Sequence, residues 1–186
     1  MVVPVDRGYP GLGRPKTPDP PPRWPKVILW SLLAVGVVVG AGWLVLVGMY
    51  DGHRVGSDNM APTLEIGDRI YSRPSVSAGR GDIVIYYSVA VDGPAIGRVV
   101  AIEGDVVNAV NGTLTLNGIL IREPYLTDDV ETTGVVETVV PTQHYFILGD
   151  NRSNSFDSRI FGPVSGDTLY SRVRFIGWPL GRFGGL

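Results

Sequence analysis

The hydrophobic pattern changes character near residue 50. From Val27 to Met49, twenty-three consecutive residues carry no charge and are rich in Val, Leu, Gly and Trp, which is enough helical rise to cross the hydrocarbon core of a bilayer. Trp30 and Trp43 stand near the two ends of this run, where interfacial anchors sit. A cleaved signal peptide would have a shorter apolar region closed by a small-residue site, so 27–49 is read as a transmembrane helix. Beyond it, strand-length runs of β-branched and aromatic residues are separated by Gly, Asn and Pro: Asp68–Arg73, Asp82–Ser88, Ile96–Ile102, Asp105–Val110, Thr113–Leu116, Ile119–Arg122, Gly134–Val140, Tyr145–Leu148 and Leu169–Ile176. Asn111-Gly112 and Asn117-Gly118 lie between such runs and predict tight hairpins, so part of the sheet is a small meander. With no sustained helical periodicity and no long repeat after residue 50, residues 50–186 are predicted to form one mostly β domain of antiparallel sheet.

Composition sharpens this division. Residues 1–26 hold eight prolines, so neither a helix nor a ladder is expected through them. They also carry five basic side chains (Arg7, Arg14, Lys16, Arg23, Lys26) against two acidic ones, Asp6 and Asp19. Basic residues beside a span are retained in the cytoplasm, which predicts a cytoplasmic tail, a single-pass anchor in the cell membrane and an extracytoplasmic domain from residue 50. The chain has no Cys, which excludes thiol and disulfide chemistry. His53 and His144 lack metal-ligand spacing, so no metal site is expected. No phosphate loop or nucleic-acid module is present, so neither a cofactor nor a nucleic-acid partner is expected. Arg172 and Arg174, at alternate positions of the last predicted strand, read as solvated charge.

Candidate chemistry concentrates in Gly149–Arg159, GDNRSNSFDSR, a stretch with two acids, two arginines, three serines and two asparagines. It lies between the apolar runs Tyr145–Leu148 and Ile160-Phe161. A polar turn between two strands is one account of such a composition. The alternative is the polar floor of a site, because charges held against an apolar wall must be paired and hydrogen-bonded, and alternating Asp and Arg supply that pairing.

Four blocks, in order, resemble the signature boxes of the type I signal peptidases: Ser57–Leu64 (SDNMAPTL) followed by Gly67-Asp68; Gly81–Tyr86 (GDIVIY); Ile96–Asp105 (IGRVVAIEGD); and GDNRSNSFDSR itself. With the apolar run before them, the similarity spans about residues 27–179. The resemblance implies a Ser/Lys dyad, in which the serine before the Met of the first box attacks the scissile carbonyl and the lysine opening the third box is the general base. Here Asn59 and Gly97 stand at those positions. An amide nitrogen is not a nucleophile and glycine offers no base, whereas the mechanism needs a hydroxyl and a desolvated amine. The only lysines, Lys16 and Lys26, precede the predicted span.

The rest of the implied site is retained. Ser57 matches an oxyanion-binding position, and Met60 and Pro62 fall along the implied peptide groove. Arg98 with Asp150, and Asp157 with Arg159, match two ion pairs that brace the site floor. Ser155 matches the serine that hydrogen-bonds the catalytic lysine, and would face the space left by Gly97, with room for a water. Glu103 replaces a proline usual in the family. The resemblance therefore implies a pseudoenzyme that binds a signal-peptide-like segment of a secreted preprotein, or that assists surface-protein assembly beside a pilus subunit or a sortase. Two alternatives stand beside it: a working signal peptidase I using another pair, such as Ser57 with His53 or His144, and a structural subunit with an unused groove.

Overall fold

A computed structural model of the chain describes residues 24–75, 77–127 and 129–186; most of the Pro-rich tail lies outside them. Helix α1 runs Trp24–Gly48 and overlaps the predicted span. The side chains at 25, 43 and 45–47 are not among those described, and over the described residues no helix is long and apolar enough to cross a membrane. Trp43, expected as an interfacial anchor, is one of these positions.

After α1 the described residues form twelve strands, one short α-helix and two 3-10 turns. The strands are β1 (Asp51–Arg54), β2 (Arg69–Pro74), β3 (Ile83–Ser88), β4 (Gly93–Ile102), β5 (Val106–Val110), β6 (Thr113–Leu116), β7 (Ile119–Leu120), β8 (Thr138–Val139), β9 (His144–Leu148), β10 (Val164–Ser165), β11 (Leu169–Trp178) and β12 (Gly184–Gly185); α2 is Ser158–Phe161. The larger sheet has the order β1-β2-β11-β3-β4-β9-β10, with β12 beside β11, and the smaller has the order β7-β6-β5-β8. Every pairing is antiparallel, so the domain is the mostly β, antiparallel architecture that the sequence predicts.

The hairpin signals act where they stand. Asn111 and Gly112 have φ of 51° and 76°, Asn117 and Gly118 have 54° and 80°, the double positive φ of a two-residue turn matched to strand twist. They join β5 to β6 and β6 to β7. The uninterrupted apolar run of β3 reflects burial on both faces of the sheet. Ile83 and Ile85 pack with Val55, Met60, Leu64, Ile70, Val173 and Ile176, whereas Val84 and Tyr86 pack with Val99, Ile147, Val164 and Leu169. A third cluster, with Val107, Leu114, Leu116, Phe146 and Leu148, buries the smaller sheet.

Candidate functional site

The site grows from the way β4 leaves its neighbours. Val99 N donates to Asp82 O, and Val99 O accepts from Gly81 N, so Val99 faces the β3 side. Backbone polar groups alternate sides along a strand; Gly97 therefore also faces β3, and Arg98 and Ile96 face the other side. On that side β9 pairs with β4 only from Arg98, opposite Leu148, to Ile102. The β4 segment 93–97 consequently has a strand partner on one edge alone. The loop carrying Asn59 lies against its open edge, where Asn59 Nδ2 donates to Ile96 O at 2.7 Å.

The first and fourth blocks are stitched together there. Asn151 N donates to Asn59 O at 3.0 Å, Asn151 Nδ2 to Asp58 O at 3.1 Å, and Asn154 Nδ2 to the Asp58 carboxylate at 3.0 and 3.1 Å. Ser57 Oγ donates to Asn59 Oδ1 at 2.7 Å. The Asn59 side chain is thereby engaged at both ends, by the serine hydroxyl and by the strand edge.

Gly97 does not open onto empty space. A Cβ built on it would fall within 3.0 Å of Ile147 Cγ2, with Leu148 O at 3.3 Å and Tyr86 Cε1 at 3.7 Å. Ile147 is wholly buried and, being β-branched, has little rotamer freedom with which to retreat. A side chain at position 97 would therefore collide with a core residue. Tyr86, the titratable group near Gly97, does not replace a lysine as base: burial, and then the Asp157 carboxylate, push its phenol above the ordinary value. Ser155 Oγ is buried without a hydrogen-bond partner among the described residues and packs on Gly149.

Beneath these positions lies a compact charged floor. Arg98 meets Asp150 through two bonds, Nε to Oδ1 at 2.9 Å and Nη2 to Oδ2 at 2.6 Å, with side chains only 7% and 0% exposed. Arg98 Nη1 donates to Gly81 O at 2.8 Å, and Thr63 Oγ1 donates to Asp150 Oδ2 at 2.6 Å, tying the first block to the pair. Asp157 caps α2, accepting from Arg159 N at 3.2 Å, pairs with Arg159 Nε at 2.8 Å and accepts from Gly149 N at 3.0 Å.

A second layer was not visible in the sequence. Arg152 is buried against Glu123, with bonds of 2.8 and 2.5 Å, and also donates to Gly149 O and Thr132 Oγ1. Burial opposes the Arg152 charge, but Glu123 outweighs it and raises the guanidinium pKa. Tyr125 donates to Glu123 Oε1 at 2.5 Å, and Arg98 Cζ stacks 3.8 Å from its ring centroid. Burial and the Glu123 carboxylate push the Tyr125 phenol up, so it stays protonated as that donor. Ser158 Oγ accepts from Ile147 N at 3.0 Å. Glu123, Tyr125 and Thr132 come from an irregular stretch whose spacing gives no warning of this contact; only the arginine of GDNR, left without an assigned partner, signalled that one was needed.

Met60, expected along the groove, is fully buried in the core with Val55 and Leu64, because its neighbours turn it under the sheet. Pro62 does face outward, lining a cavity of about 670 Å³ with Asp150, Asn151, Ser153, Val130 and Glu131. His53 sits in β1 opposite Ile70, and the His144 ring meets Thr142 O at 2.8 Å; among the described residues neither imidazole hydrogen-bonds Ser57. Glu103 accepts from Gln143 N at 2.8 Å, away from the other site residues.

Comparison with known proteins bears on these blocks. A family profile described as signal peptidase, peptidase S26, matches residues 26–178. A signal peptidase I of Leptolyngbya laminosa is 28% identical over 192 residues, covering 91% of this chain and 93% of its own length. A signal peptidase IB of Staphylococcus aureus (strain COL) is 29% identical over 182 residues, covering 85% of this chain and 93% of its own length. Among solved structures, a signal peptidase I from Enterococcus faecalis V583 aligns with a TM-score of 0.45 at 25% identity, over 52% of this chain and 96% of that one.

Proposed function

The chain belongs to the signal peptidase family, peptidase S26, and from that premise we propose that it binds signal-peptide-like segments at the membrane without cutting them. The observation that carries this proposal is the state of the two dyad positions. Asn59 presents an amide whose two ends are already bonded, and the side-chain space at Gly97 is filled by Ile147. No lysine follows residue 26. Loss of both dyad members leaves, by analogy with dissected serine proteases, only residual acceleration of roughly 10³–10⁴ over water.

Recognition has a separate physical basis. An extended peptide adds to an exposed sheet edge through main-chain bonds and pockets for alternate side chains, and β4 leaves residues 93–97 unpaired on one edge. Helix α1, charge-free from residue 27 onward, serves as the anchor in this proposal, the basic tail lying in the cytoplasm and the β domain outside. The most concrete setting is assembly of secreted or surface proteins, including pilus subunits, beside a sortase-type enzyme. The alternative of cutting by Ser57 with a histidine draws no support, because the Ser57 hydroxyl is committed to Asn59.

The test is cleavage and binding of a labelled precursor in detergent, with the unmodified chain set beside the combined variant Asn59→Ser, Gly97→Lys, Ile147→Ala. The third change makes room for the lysine Cβ. The unmodified chain is expected to bind the precursor and leave it intact, and the combined variant to cut at the signal site. Cleavage by the unmodified chain overturns the proposal, and absence of precursor binding overturns its positive half.

A further inference from the structure

The side chain at position 59 does more than lack nucleophilicity. Ile96 O points away from β3, on the side where no strand pairs, and the Ile96 amide shares that direction. This carbonyl is the acceptor an added strand would use, and Asn59 Nδ2 holds it at 2.7 Å. The donor is itself fixed: Asn59 Oδ1 accepts from Ser57 at 2.7 Å, and the Asn59 backbone carbonyl accepts from Asn151 N at 3.0 Å. A residue held at three points, two of them through its side chain, is a standing competitor for the open edge. Serine at this position would be too short to place a donor where Nδ2 sits.

We propose that Asn59 is a gate on peptide binding: its amide caps the Ile96 carbonyl, and an extended peptide gains a full edge only by displacing it. The proposal rests on the peptide-binding function above and adds to it the residue that sets affinity and register. A peptide whose backbone N–H replaces Nδ2 exchanges one hydrogen bond for another, so the net gain at that position is small while Asn59 is present. Removing the competitor frees the Ile96 carbonyl for one net hydrogen bond and should therefore tighten binding about three- to tenfold.

The experiment uses the full chain in detergent and a fluorescent ten-residue peptide with Ala-x-Ala at its centre, read by anisotropy. Asn59→Ala removes the side chain, and Asn59→Asp keeps its shape while removing the donor, so the second variant stands in if the first fails to fold. Both are expected to bind about three- to tenfold more tightly than the unmodified chain. A series of singly N-methylated peptides should then show one position where methylation weakens binding to the variants but not to the unmodified chain. Equal or weaker binding by folded variants, while the unmodified chain binds, overturns the gate and leaves the binding function standing. If no form binds, the binding function falls, and the gate falls with it because removing Asn59 opened nothing. Tighter binding without a methylation-sensitive position also overturns the gate.

Discussion

Gly97 is held in place by Ile147, whose Cγ2 occupies the site that any Cβ at 97 would need. Overpacking a dense core costs about 1–3 kcal/mol, so Gly97→Ala should lower unfolding stability by about that amount even though alanine is small. In an Ile147→Ala background the same change should cost far less, and a double-mutant cycle by urea unfolding measures the difference. Additive effects would mean that Ile147 yields without cost. Asp150 makes the opposite case, where loss rather than excess is punished. Its carboxylate is wholly buried and takes both Arg98 bonds together with the Thr63 hydroxyl. Asp150→Ala strands a buried guanidinium and should destabilise by about 3–5 kcal/mol. Arg98 would keep Gly81 O and the Tyr125 ring, which places the expected loss toward the lower end; thermal unfolding of the variant checks it.

At the scale of elements, the first block is positioned from both ends of the domain. The fourth block holds it through Asp150 and Asn151. The C-terminal segment holds it through Arg182, which donates to Pro62 O at 3.1 Å and Thr63 O at 3.0 Å and pairs with Glu65 and, at 3.2 Å, with Asp68. Arg182 lies beyond the matched residues 26–178. Arg182→Ala should speed amide exchange at Leu64 and Gly67 about tenfold or more while leaving β3 and β4 unchanged, a local opening in the sense of hydrogen exchange. Uniform acceleration would instead mean that Arg182 stabilises the whole domain. The sequence made some of these elements legible and hid others for physical reasons. The two Asn-Gly turns and the buried run of β3 carry their own signals, since the turn backbone and the double-sided burial each demand particular residues. β1 is exposed along its length and is a strand only because β2 offers it an edge. The predicted strand 134–140 enters a ladder only at Thr138–Val139, and Ile119–Arg122 only at Ile119–Leu120. The charged floor was legible within a block, as with Asp157 and Arg159, and between blocks where the resemblance supplied both partners, as with Arg98 and Asp150. The Arg152–Glu123 pair, spanning 29 residues of sequence, was not.

At the scale of the whole molecule, the two sheets are joined by Asp105, which accepts from Arg80, Ile102 N and Asn117 Nδ2. Burial pushes its carboxyl up, but these bonds together outweigh it, and its pKa lies below the ordinary value of 3.8. A depressed folded pKa adds stability that is fully present above the unfolded value and is lost as pH falls through the folded one. Asp105→Asn should therefore flatten the loss of stability below pH 3.8 and leave the pH dependence above it unchanged, as acid titration of urea midpoints would read. The charge balance of the chain makes the larger claim. Residues 1–26 carry a net +3 and the remainder a net −5, with the charge-free run 27–49 between them. If that run spans the membrane, positive charge near its start keeps the tail inside. In intact cells, protease added from outside should then digest the β domain while a tag before residue 24 survives. Reversing Arg14, Lys16, Arg23 and Lys26 to Glu should move part of the population to the opposite orientation, because it is the basic residues beside a span that are retained. A chain that washes off the membrane in alkaline carbonate would sink the anchor altogether; one that stays, in unchanged orientation, would show that the folded β domain and not the tail decides the topology.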